Sequence, residues 1–100
     1  MQILNEMIVR YPDTPRVWLL LGTVRMAGKD YEGALGAFKR AMALAPDLPA
    51  PHHDAAVALH RMGRDGDALT QCRLALAAAP DYQEARTLMT EIQQHGSASK

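Results

Sequence analysis

The sequence predicts an all-α protein, a solenoid of antiparallel helix pairs with about six helices. The first sign is a recurring phrase. KRAMALAPD, Lys39 to Asp47, returns 34 residues later as RLALAAAPD, Arg73 to Asp81. An earlier form, NEMIVRYPD from Asn5 to Asp13, keeps the closing proline and aspartate and apolar residues in the interior. A fixed period of this length marks stacked supersecondary units. The second sign is helical spacing of apolar residues between the copies. The third is a set of short loops, which force neighbouring helices to run antiparallel.

Residues 1–14 read as the second helix of a partial unit. Ile3, Leu4, Met7, Ile8 and Tyr11 spread over more surface than one neighbour covers. Either further residues precede Met1, or this face meets another molecule, which makes it the candidate self-association surface and a homodimer the matching partner.

Residues 15–48 read as a complete unit. Val17, Trp18, Leu21 and Val24 mark one helix, and Ala34, Leu35, Phe38, Ala41, Met42 and Ala45 mark the next. Gly28 is placed to end the first and Asp30 to cap the second, while Pro46 and Asp47 close the pair and open the next unit. Gly22, Ala34 and Ala41 are small enough to let the two backbones approach.

Residues 49–82 form a second complete unit, with His52, Ala55, Ala56, Leu59, Ala68, Cys72 and Pro80 in the places of its larger counterparts. Its small side chains predict a less tightly held pair. Residues 83–95 read as a terminal capping helix with Leu88, Met89 and Ile92 on one side, and 96–100 as a disordered tail.

Trp18, Leu21, Gly22, Ala34, Phe38 and Pro46 follow the pattern W-x2-L-G-x2-Y…A-x3-F…P, so the chain resembles the tetratricopeptide repeat family. Arg25 departs from it where an aromatic is usual; its stem is expected along apolar surface with the guanidinium in water. The resemblance implies a right-handed superhelix whose concave groove, lined by the first helix of each unit, holds a protein or peptide partner.

Placed on this chain, that groove presents Arg16, Leu19, Thr23 and Met26, then Ala50, His53, Val57 and His60, then Glu84, Thr87, Glu91 and Gln94. Three- and four-residue steps along each helix support the same grouping. Such a groove runs from an arginine-bearing end, past two histidines, to two carboxylates, and would orient a peptide with an acidic and a basic end. The plainer alternative is a spacer domain with merely exposed side chains. Family members that clamp acidic chaperone tails use lysine and asparagine in the groove. Here Leu19 and Thr23 stand in those places and the lone asparagine is Asn5, so a chaperone-tail clamp is not expected.

Composition narrows the classes further. Eleven basic residues balance eleven acidic ones, which gives no field to attract nucleic acid or an anionic membrane. The run VWLLLG, Val17 to Gly22, is far short of the roughly 20 residues that span a bilayer. The N-terminus lacks the basic start and apolar stretch of a signal peptide, and the single cysteine cannot form an internal disulfide; both predict a cytoplasmic setting. An alanine-rich, arginine-over-lysine composition fits a GC-rich bacterial source.

No catalytic residue, cofactor or metal is predicted. His52 and His53 point about 100° apart on a helix, and His53 and His60 lie roughly 10 Å apart, too far to share an ion without a ligand between. Solvated or partner-contacting histidines are the expectation, although a His53, His60 and Glu91 set is conceivable. Cys72 takes the place of Phe38 and is expected in the core. Ser97 and Ser99 lie in the tail with no base beside them. RDGDAL lacks the closing glutamate of a calcium loop, so Asp65 and Asp67 read as helix-start residues. Met26, Met42, Met62 and Met89 read mostly as core filler, with Trp18 and Phe38 committed to the core. Two further roles stay open from sequence: a self-assembling structural domain and a non-catalytic appendage of a longer enzyme.

Overall fold

The computed structural model describes residues 2–98, with side chains from 3 to 94. Six helices follow one another: α1 (Gln2–Arg10), α2 (Pro15–Ala27), α3 (Tyr31–Leu44), α4 (Pro49–Arg61), α5 (Asp65–Ala78) and α6 (Gln83–Ala98). The last is longer than the sequence suggests. It takes in Gly96, Ser97 and Ala98, residues read above as a disordered tail, while Ser99 and Lys100 lie outside the described residues.

Pro15 and Pro49 open α2 and α4 at positions where a helix has no use for the missing N–H. Asp30 caps α3, its carboxylate accepting from the Gly33 amide at 3.0 Å. Asp65 and Asp67 lie in the first turn of α5, favoured there by the helix dipole. α3 and α5 stop just before Pro46 and Pro80, because a proline disfavours helical geometry in the residue before it.

α2 packs on α3 and α4 on α5 as hairpins; α3 packs on α4 and α5 on α6, so each hairpin stacks on the next. The result is an elongated slab of 47 × 27 × 17 Å. Its larger core runs from α3 to α6 around Phe38, Cys72, Leu88 and Ile92, with alanines between them. A smaller cluster, Leu4, Val17, Leu21 and Ala37, ties α1 to the rest. Cys72 is buried as expected.

The close approach in the first hairpin is not between small residues alone. A side chain at Gly22 would run into the Phe38 ring, so the glycine makes room for an aromatic rather than for Ala34 or Ala41. Arg25 is half-buried, and its guanidinium does more than reach water. Its Nη1 donates to the Gly33 carbonyl at 3.1 Å, binding α2 to the start of α3. Trp18 is only half-buried, with the Arg40 guanidinium 5.6 Å from its ring centroid, whereas Phe38 is fully buried. His52, read as solvated or partner-contacting, is buried beside the Gln71 amide oxygen, 3.0 Å from its Nδ1.

One contact repeats with the period of the sequence. Trp18 Nε1 donates to the Pro12 carbonyl at 2.7 Å, His52 Nε2 lies 3.3 Å from the Pro46 carbonyl, and Arg86 Nη2 donates to the Pro80 carbonyl at 2.9 Å. Both oxygens beside the His52 ring only accept, so the neutral ring donates to one at a time, and the tie to Pro46 is made in the form with its hydrogen on Nε2. Indole, imidazole and guanidinium thus make the same tie from the first helix of a unit back to the turn before it.

Candidate groove along the first helices

α2, α4 and α6 are the first helices of their units, and two hollows lie along them. The larger, about 410 Å³, opens between α4 and α6 and is lined by His53, Val57, His60, Glu84, Thr87 and Glu91, together with Arg61, Gln83 and Leu88. The smaller, about 160 Å³, lies between α2 and α4 and is lined by Thr23, Met26 and Val57, with Phe38 and Asp54. Val57 belongs to both and joins them.

Most of the groove residues read from the sequence come together in this way. Leu19, Ala50 and Gln94 line neither hollow: Leu19 packs against the larger core, Ala50 is half-buried, and Gln94 is exposed. Arg16 lies elsewhere, in a third cavity between α1 and α2. Its counterpart one unit further on, Ala50, and then Glu84, stand on helices that have a first helix before them. α2 has none among the described residues, so Arg16 lacks the second wall of a groove.

Both groove histidines are held by carboxylates. His53 Nδ1 lies 3.1 Å from Asp54 Oδ1 and His60 Nδ1 lies 2.8 Å from Asp65 Oδ1. An ionised carboxylate only accepts, so each ring keeps a hydrogen on Nδ1. Tyr82, in the turn before α6, tilts against His53 with ring centroids 5.8 Å apart. Burial pushes its phenol above the ordinary tyrosine range, and the negative charges of Glu84 and Asp54 add to this. Asp54, Tyr82 and Arg61 are site residues that spacing arguments miss. Asp54 and Arg61 sit beside the chosen helical stripe, and Tyr82 comes from a turn.

Burial raises the Cys72 thiol above its usual range, which keeps it protonated and unreactive. Among the described residues no three histidine, cysteine, aspartate or glutamate side chains gather as a metal site would need. No described helix is long and apolar enough to cross a membrane.

The set predicted for self-association divides. Leu4 is buried and Met7 and Ile8 are half-buried against the α1–α2 cluster, so they face inward. Ile3 and Tyr11 are exposed, and Val9, absent from that set, is more exposed still at 82% against 74% for Ile3.

Solved structures with this architecture are found at low sequence identity. MamA superposes with a TM-score of 0.88 at 16% identity, over 94% of this chain and 55% of that one. The type III secretion translocator chaperone SycD of Yersinia enterocolitica, in an alternative dimer, gives 0.85 at 20% identity, over 95% and 77%. A chain of the CopN–Scc3 complex gives 0.75 at 20% identity, over 93% and 55%. The chain therefore spans little more than half the length of two of these neighbours. No curated protein sequence matches it. A family model described as tetratricopeptide repeat matches residues 25–92, most of the chain, from the end of α2 through α3, α4 and α5 into α6. The 34-residue period, the stacked hairpins and this match agree: the chain belongs to the tetratricopeptide repeat family.

Proposed function

We propose that the chain is a non-catalytic interaction module that holds an extended protein segment across α2, α4 and α6, with a basic side chain in the hollow between α4 and α6. The observation that carries this reading is the make-up of that hollow. Its floor is apolar, with Val57 and Leu88, and its rim bears Glu84 and Glu91 against Arg61. Asp54 adds a further carboxylate next door. An apolar floor with carboxylates at the edge suits the stem and head of a lysine or arginine. Acidic chaperone tails would meet like charge here. Arg16, once placed at the acidic-peptide end of the groove, takes no part.

Two solved neighbours carry names that speak of a chaperone and of a protein complex, which supports protein recognition by this architecture. The test is an array of short peptides probed with the native domain and with Val57→Arg and Glu84→Gln/Glu91→Gln variants. Retained peptides are expected to pair a basic residue with a neighbouring apolar one. The double carboxamide variant should weaken them by roughly threefold to tenfold, and Val57→Arg should abolish retention. Retention without basic preference, or indifference to Val57→Arg, sinks the reading.

A further inference from the structure

Two histidines stand in the wall of the hollow between α4 and α6, and a seat for a basic side chain has no use for either of them as a cation. His53 and His60 line it from α4, and Glu84 and Glu91 line it from α6. The histidine side chains keep 18% and 25% of their surface open. Histidine is the side chain whose ordinary charge change falls between about pH 5 and 8. We propose that protonation of His53 and His60 closes this hollow to basic side chains, so that the groove releases its partner as the pH falls, a regulation that rests on the hollow being a seat for lysine or arginine.

The two forms of the ring differ in what they offer a ligand. With its hydrogen on Nδ1 and directed at Asp54, a neutral His53 carries its lone pair on Nε2. Lysine and arginine only donate, so this form suits them, as do the carboxylates of Glu84 and Glu91. A protonated ring donates from both nitrogens and offers them no acceptor. Charge acts in the same direction at both histidines. With neutral rings, Asp54, Asp65, Glu84 and Glu91 outnumber Arg61 around the hollow. Imidazolium ions would be matched by Asp54 and Asp65 where these already lie, which leaves only Glu84 and Glu91 against Arg61. The attraction for an incoming cation falls accordingly.

Among the described groups around the rings, none reverses this. Tyr82, from the turn before α6, tilts against His53, and burial together with the charges of Glu84 and Asp54 raises its phenol above the ordinary tyrosine range, so it stays neutral. Asp65, at the start of α5, meets His60, and Arg64 before it is engaged by Asp67 at 2.7 Å. α2 brings Thr23 and Met26 to the adjoining hollow, and neither titrates. Carboxylates ordinarily change charge below this range and arginine above it. The coupling is reciprocal: a bound cation disfavours charge on the rings, so binding expels protons, and added protons expel the ligand.

Fluorescence anisotropy tests this with a labelled, end-blocked, histidine-free peptide that places an arginine beside a leucine, at fixed ionic strength. Between about pH 8 and about pH 5.5 the native domain is expected to lose roughly tenfold in affinity. The same ratio should stay within about threefold for His53→Asn/His60→Asn, whose amides can still donate to the two aspartates. Calorimetry of the native domain near pH 6.5, in two buffers of different ionisation enthalpy, should show protons released on binding. Circular dichroism at both ends of the range checks that the helices persist. A native affinity that does not change with pH, an equal loss in the variant, a loss that accompanies melting of the helices, or binding without proton release overturns the regulation and leaves the seat in place. Failure of the native domain to bind the peptide at either pH overturns the seat itself, and the regulation with it.

Discussion

At Gly22 the first hairpin gives up a side chain to admit the Phe38 ring; at the matching places of the second hairpin stand Ala56 and Cys72, both buried in the larger core. The two solutions exchange volume across the same crossing, a ring with no side chain opposite against a thiol with a methyl. Gly22→Ala is therefore expected to cost about 1–3 kcal/mol in urea unfolding, because the ring must leave its rotamer or the helices must part. Adding Phe38→Leu should recover part of that loss, and a double-mutant cycle with no coupling would show the ring is not the obstacle. The sequence shows that small residues allow an approach but not which residue occupies the space, since that depends on the rotation of two helices about their axes. Arg25 is the same kind of case: its stem is legible and its acceptor, a carbonyl on the next helix, is not.

Between elements, the turns of the two hairpins differ in one residue that matters. Lys29 has φ of 63° and Gly63, at the matching position, has φ of 79°. This left-handed conformation is free of steric cost only for glycine. Lys29→Gly is expected to raise stability by about 1 kcal/mol, and a lowered urea midpoint would contradict it. The proline-aspartate turns and the Asp30 cap were legible because their chemistry is local. The ties from Trp18, His52 and Arg86 were not, because three unlike side chains do one job and only their common reach of six residues reveals it.

Across the whole molecule, the period alone was enough for the number and order of helices, since a unit that cannot bury its own apolar face must stack. The groove was partly legible for the same reason: stripes on α4 and α6 converge where both walls exist, and Arg16 is lost where one wall does not. Stability should be uneven along the slab. α1 is fastened by the small cluster around Leu4, while α3 to α6 share the larger core. Native-state hydrogen exchange is expected to show α1 amides opening well before those of α3 and α5, with little dependence on dilute urea. Equal protection of all six helices would mean that α1 belongs to the same cooperative unit.

The repeated tie to Pro12, Pro46 and Pro80 also bears on how such chains vary. The acceptor is a main-chain oxygen, so it survives any change of side chain at the turn. The donor needs only an N–H at the right reach, and ring size, charge and polarity are then open to drift. A position that looks unconstrained when read as tryptophan, histidine and arginine is constrained in the one property all three share. Relatedness between units of this kind is better judged by the bonds a residue can offer than by the letters that spell it.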